Sequence, residues 1–213
     1  MLRYARFPAV FSEAKAYPAN MNTTAREHDA GLDLRQWLRA GTSDLHARVD
    51  AWFPDGLGTT LAYARYVVGM HRFAADFEIV VDALPRQSFW LSGDLRHLQR
   101  TPLPPSGVRS RAVDADERLG WEYVMAGSSL GARHLLRGVQ ALGHDEQSGA
   151  CFLVRHAGGV EWRSVLDRLA ARAASDAPAP SLLQGARDAF LLVQSCFERS
   201  FDAIPASRQE ASA

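Results

Sequence analysis

Residues 119–138 read Leu119-Gly120-Trp121-Glu122-Tyr123-Val124-Met125-Ala126-Gly127-Ser128-Ser129-Leu130-Gly131-Ala132-Arg133-His134-Leu135-Leu136-Arg137-Gly138. Tyr123, Val124, Leu130, Leu135 and Leu136 supply packing residues, and no proline interrupts them, so the stretch predicts a helix. Gly127 and Gly131 sit badly with that reading, since each costs about 1 kcal/mol against alanine in a helix interior. They lie one turn apart with Ser128 and Ser129 between them, which leaves one face almost bare of side chain. Another group can then approach the backbone closely. A tightly crossing helix is one such group; a flat ligand is another. The stretch by itself leaves both open.

On either side the apolar spacing is helical. Leu34, Leu38, Leu45, Val49 and Trp52, with Trp37 beside them, predict a helix from Leu32, ended by Pro54, Gly56 and Gly58. Thr59 or Thr60 can cap a second helix running to about Leu84, closed by Pro85. Its apolar residues, among them Tyr63, Tyr66, Met70, Phe73 and Phe77, cover more than one face, which predicts a central position. A short helix fits Trp90 to Leu98, and the proline-rich stretch Thr101 to Ser110 reads as a loop. The glycine helix spans Ala115 to Leu142, with Gly143 ending it. Gly149 to His156 fits a short strand or a helical turn. Two further helices fit Val160 to Ala174 and Ser181 to Ala203. The expectation is an all-α, single-domain, multi-helix bundle of about six to eight helices over 31–204. A loose extension over 1–30 precedes it, with Met21 as a second candidate start, and a frayed tail over 205–213 follows.

Composition narrows the function. The chain has 213 residues, enough for a substantial core. Lys+Arg and Asp+Glu are both 24, and zero net charge argues against a general nucleic-acid binder. Lys15 is the only lysine, so the rest of the chain holds no P-loop, and no Gly-x-Gly-x-x-Gly occurs. No apolar run approaches the ~18 residues of a membrane span. Arg6, Glu13 and Lys15 break up any secretory signal. Cys151 and Cys196 form no Cys-x-x-Cys pair and read as buried reduced thiols, which points to a reducing, cytoplasmic compartment.

Seven histidines are available as ligands or acid–base groups. No His-x-x-x-His or Glu-x-x-His pair occurs, and Asp76 and Glu78 have no histidine at a di-iron spacing. Ser128 is not in a Gly-x-Ser-x-Gly elbow. His46 sits on the first strong helix, either as a packed structural histidine or as an axial ligand to a metal cofactor. His134 and His71 are weaker alternatives.

Three segments, taken in order, resemble the heme oxygenases, in particular the bacterial enzymes that partner bacteriophytochromes or release iron from heme. They are Leu38-Arg39-Ala40-Gly41-Thr42-Ser43-Asp44-Leu45-His46; Tyr123-Val124 followed by Gly127-Ser128-Ser129-Leu130-Gly131; and Ala186-Arg187-Asp188-Ala189-Phe190-Leu191-Leu192 with Phe197-Glu198. The resemblance spans about Leu32 to Asp202. It implies an all-α fold that holds heme between a proximal and a distal helix. His46 matches the proximal iron ligand. Gly127, Ser128 and Gly131 match the distal helix, and Phe190 matches an aromatic lining the heme. Arg163 is the matched basic residue for the propionates, with Arg133 and Arg137 as further candidates. Many relatives have Glu where this chain has Ala126, and a second glycine where it has Ala132.

The resemblance implies cleavage of heme to biliverdin with release of carbon monoxide and ferrous iron. Heme is then both cofactor and substrate, with oxygen as co-substrate. The chain has no flavin or nicotinamide motif, so a separate ferredoxin- or flavin-type reductase supplies electrons. A bacteriophytochrome is a candidate partner for the product. Ala126 and Ala132 keep open a second reading, a non-catalytic heme-binding or heme-carrying protein on the same scaffold. A third is a helical interaction module whose glycines serve packing alone.

Overall fold

The computed structural model describes residues 33–108, 114–173 and 180–206. The expected extension over 1–30, with Met21, and the last residues of the expected tail lie outside them. Among the described residues there are eight α-helices and no strand: α1 Leu34–Asp50, α2 Thr60–Val80, α3 Gln87–His97, α4 Ala115–Gly127, α5 Ser129–Ala141, α6 Cys151–Gly158, α7 Glu161–Ala173 and α8 Pro180–Ala203. The all-α expectation holds.

Short polar side chains set three helix starts. The Asp33 carboxylate accepts from the amides of Arg35 and Gln36, the Thr59 hydroxyl from Ala62, and the Asp114 carboxylate from Glu117. These are N-caps of the ordinary kind. Two caps are long-range. Buried Glu78 of α2 accepts from the amides of Arg86, Gln87 and Ser88, so it caps α3. Buried Asp94 of α3 accepts from Cys151 and Phe152, so it caps α6. Carboxylates at helix N-termini meet both unpaired amides and the positive end of the dipole. The chain α2–α3–α6 is thereby tied together by two buried acids, and these residues are structural.

The end of α2 and the helix over 115–142 differ from the sequence expectations, and the open choice at 149–156 is decided. Helix α2 stops at Val80 rather than near Leu84, because Asp82 turns left-handed (φ 52°) and the Ala83 amide donates to the Glu78 carbonyl. Of the two readings open for 149–156, the helical one holds, as α6 over Cys151–Gly158. The predicted single helix from Ala115 to Leu142 is two, broken at Ser128, which serves as the C-cap of α4 and the N-cap of α5. The Ser128 hydroxyl donates to the Met125 carbonyl at the break.

Helix α2 is buried on several faces, and α8 lies against α4, α2 and α1. The closest crossing is α4 on α8. A Cβ on Gly120 would fall on the Leu182 carbonyl oxygen and 2.7 Å from the Ala186 nitrogen; one on Gly185 would fall on the Glu117 carbonyl oxygen. Glycine is required at both positions for the backbones to come this near. The tight crossing that a small-residue pair can signal is made by Gly120 and Gly185.

Candidate functional site

Helix α1 carries a polar stripe. Arg35, Arg39, Thr42, His46 and Asp50 recur at helical spacing and all border one cavity. The opposite wall comes from Tyr123, Val124, Gly127, Ser128, Leu130 and Leu135 of α4 and α5. Phe190, Val193 and Phe197 of α8 and Tyr66, Met70 and Phe73 of α2 close the interior, and Trp162 of α7 stands beside Gly127. The cavity volume is about 420 Å³, within the ~300–1,000 Å³ of small-molecule and cofactor sites.

His46 is partly exposed into this space. Its Nδ1 lies 3.2 Å from a carboxylate oxygen of Asp50, one turn along α1, and that carboxylate is only 11% exposed. Neither Asp50 oxygen has a well-directed hydrogen bond among the described residues. A buried carboxylate so placed favours an imidazole with hydrogen on Nδ1. The Phe190 ring meets the His46 ring edge-on, with centroids 5.6 Å apart. The structure thus brings His46 and Phe190 together in the cavity.

Across from them, Gly127 ends α4 without a side chain. A Cβ there would touch only Trp162, at 3.4 Å, an ordinary contact. Trp162 is flanked by the Tyr123 ring at 5.6 Å and the Arg35 guanidinium at 5.8 Å. Ser128 borders the cavity as well. Gly131 does not: it is buried within α5, outside the lining. Of the two glycines, Gly127 alone borders the cavity.

No protein-family model matches the chain. The chain is similar to heme oxygenase PigA of Pseudomonas aeruginosa: 31% identical over 186 residues, covering 74% of this chain and 93% of that protein. It belongs to the heme oxygenase family.

Within this heme oxygenase family member, the three arginines expected at the cavity are elsewhere. Arg163 is exposed near the start of α7 and outside the lining. Arg133 donates from Nε to the Ala157 carbonyl, and Arg137 pairs with His134 on the exposed side of α5. The cavity arginines are Arg35 and Arg39. They stand on the same face as His46, and this helical spacing is the signal that could have found them; the same holds for Asp50. His71, a weaker histidine candidate, is spent on Ser92 at 3.0 Å. No helix among the described residues is long and apolar enough to cross a membrane.

The donor set suits an iron porphyrin. One imidazole backed by a buried carboxylate faces a helix end without a side chain, apolar and aromatic walls lie between, and two guanidiniums stand on the same helix as the imidazole. An imidazole holds heme iron, apolar walls cover a macrocycle, and guanidiniums pair with carboxylates.

Proposed function

We propose that this cavity binds heme and that the chain cleaves it oxidatively to biliverdin, releasing carbon monoxide and ferrous iron. A separate ferredoxin- or flavin-type reductase supplies the electrons. The observation that carries the reading is the opposition of His46, backed by Asp50, to the bare end of α4 at Gly127 across one cavity.

In this reading His46 is the iron ligand. Its Nδ1 engages Asp50, so Nε2 is the coordinating nitrogen. Asp50 orients the ring and raises its basicity, as outer carboxylates do for metal-bound histidines. Phe190 fixes the ring from the side. Arg35 and Arg39 would take the propionates and so orient the macrocycle. When bound, heme supplies both the iron that activates oxygen and the carbon that is attacked. Gly127 keeps side-chain bulk away from the attacked edge, and Ser128 offers a hydroxyl beside it. Leu130, Val124 and the α8 aromatics exclude bulk water and limit side reactions.

Titration of the heme-free protein with hemin tests the site: a stoichiometric Soret band is expected. Addition of reductase and oxygen then tests the chemistry. Conversion of that band to biliverdin absorption supports the enzyme, whereas a stable complex without turnover would identify a heme carrier.

A further inference from the structure

Ser128 borders the cavity, and a buried histidine that the chemistry above does not use is hydrogen-bonded to it. The Ser128 Oγ lies 2.8 Å from the Met125 carbonyl oxygen, to which it donates, and 2.8 Å from His156 Nε2 of α6. A serine hydroxyl has one proton and two acceptor sites. With its proton assigned to Met125, it meets His156 as an acceptor, and that assignment puts a hydrogen on Nε2. The pair then runs from imidazole to hydroxyl to the Met125 carbonyl. If an acceptor enters the cavity, the hydroxyl proton can swing to it from Met125 while His156 goes on donating.

The surroundings hold His156 in this state. It is 4% exposed, and its ring stacks on Phe152 with centroids 4.9 Å apart and planes at 17°. Burial pushes its pKa down to about 4; Glu161 opposes this, Arg86 adds to it, and the Met125 carbonyl opposes it. From α5, the Arg133 guanidinium is engaged with the adjoining Ala157 carbonyl. Among the cavity residues of the α4–α5 wall, Tyr123 and Ser128 alone carry hydroxyls. Ala126 and Gly127 supply no polar side chain there.

We propose that His156 is a positioning residue for the open face of the heme site. Its Nε2–H occupies one acceptor site of Ser128 and turns the hydroxyl into a hydrogen-bond donor toward an oxygen held over the macrocycle. This rests on the heme reading above. The alternative role for the pair is purely structural, a lock between the α4–α5 break and α6.

Three variants separate the two roles. Ser128→Ala removes the hydroxyl. His156→Phe keeps a ring against Phe152 but removes the donor. His156→Gln keeps an N–H donor on a side chain of similar reach. The readout is the midpoint pH at which the ferric heme complex passes from its acid to its alkaline spectrum. A donated hydrogen bond favours the more anionic alkaline form. Ser128→Ala and His156→Phe should therefore each raise the midpoint by about one pH unit. The double variant should go no further than either single one, and His156→Gln should recover part of the shift. Nitrogen NMR of the heme-free protein should show hydrogen on His156 Nε2 at pH 7. Heme bound normally with an unmoved midpoint in His156→Phe, or a ring protonated on Nδ1 alone, overturns the inference and leaves the function reading standing. If His156→Phe does not fold, Ser128→Ala and the NMR assignment decide. A chain that takes up no heme overturns both readings.

Discussion

Alanine at Gly120 and at Gly127 should have opposite consequences, although both glycines lie on α4. At Gly120 the new methyl meets α8 backbone: the Leu182 carbonyl oxygen, and the Ala186 nitrogen at 2.7 Å. Backbone cannot swing aside as a side chain can, so α4 and α8 must separate along the most extensive helix contact of the bundle. Overpacking costs about 1–3 kcal/mol, and this geometry belongs at the upper end. For a domain of this size, ~3 kcal/mol corresponds to a loss of roughly 6–12 °C in Tm. At Gly127 the methyl meets only Trp162, at 3.4 Å. Helix propensity then favours alanine by up to ~1 kcal/mol, less at a helix end. The Tm of heme-free Gly127→Ala should stay level or rise by up to about 4 °C. Its methyl nevertheless projects onto a wall of the cavity, so biliverdin yield should fall. Thermal melts of both heme-free variants and single-turnover biliverdin yield of Gly127→Ala are the assays. If Gly127→Ala melts as low as Gly120→Ala and its surviving protein turns over heme normally, Gly127 is a packing residue and the distal wall has been misassigned.

Further outcomes follow from the same geometry. His46→Ala should leave a coordination site that added imidazole fills; an unaltered heme spectrum would reject His46 as ligand. Asp50→Asn should weaken the iron–imidazole bond and reduce heme affinity or turnover by about 10–100-fold, read as a lowered iron–histidine stretch. Arg35→Ala and Arg39→Ala should each weaken heme binding by about 10–150-fold, the equivalent of ~1.5–3 kcal/mol for a charge-assisted contact, with Arg163→Ala as an unaffected control; loss only in Arg163→Ala would reverse the assignment. The heme-free protein should lose stability as pH falls from 6.5 toward 4. In that window the unfolded chain protonates His156 while the folded chain, with its pKa lowered to about 4, does not. The contribution is on the order of 3 kcal/mol, and His156→Phe should flatten that part of the profile.

Much of the fold could be read from the sequence because it depends on local spacing. Apolar periodicity marked the helices, and Thr59 and Gly143 marked boundaries where expected. The missed boundaries lacked a local signal. Helices α2 and α3 each end at a left-handed residue that is not glycine, Asp82 and Gln99. Helix α3 starts on a carboxylate, Glu78, that lies eight residues or more before the amides it caps. Helix α6 starts on Asp94, 57 residues before Cys151. Caps supplied from a distance leave no pattern in a window of one or two turns.

The candidate site divides along the same line. Arg35, Arg39, His46 and Asp50 share one face of α1, so helix geometry alone relates them once any one is placed. The resemblance supplies His46, and the arginines it matches, Arg133, Arg137 and Arg163, fall on α5 and α7. Basic side chains are long, and several helices can bring one to the same carboxylate; the choice of helix belongs to the packed structure. Gly127 and Gly131 part company in the structure: Gly127 borders the cavity and Gly131 is buried within α5. Between them the Ser128 hydroxyl bonds to the Met125 carbonyl. The partner of that hydroxyl, His156, is 28 residues further on, in a segment that read equally well as a strand. In a strand its neighbours on the pleat would be Val154 and Gly158, with no reason to meet Ser128. In α6 it stacks one turn above Phe152 and reaches the α4–α5 break. The polar pair at the cavity wall thus depends on the interruption at Ser128, which the local reading missed, and on the helical one of the two readings open for 149–156. Removing either should uncouple His156 from the cavity while leaving the proximal stripe of α1 intact.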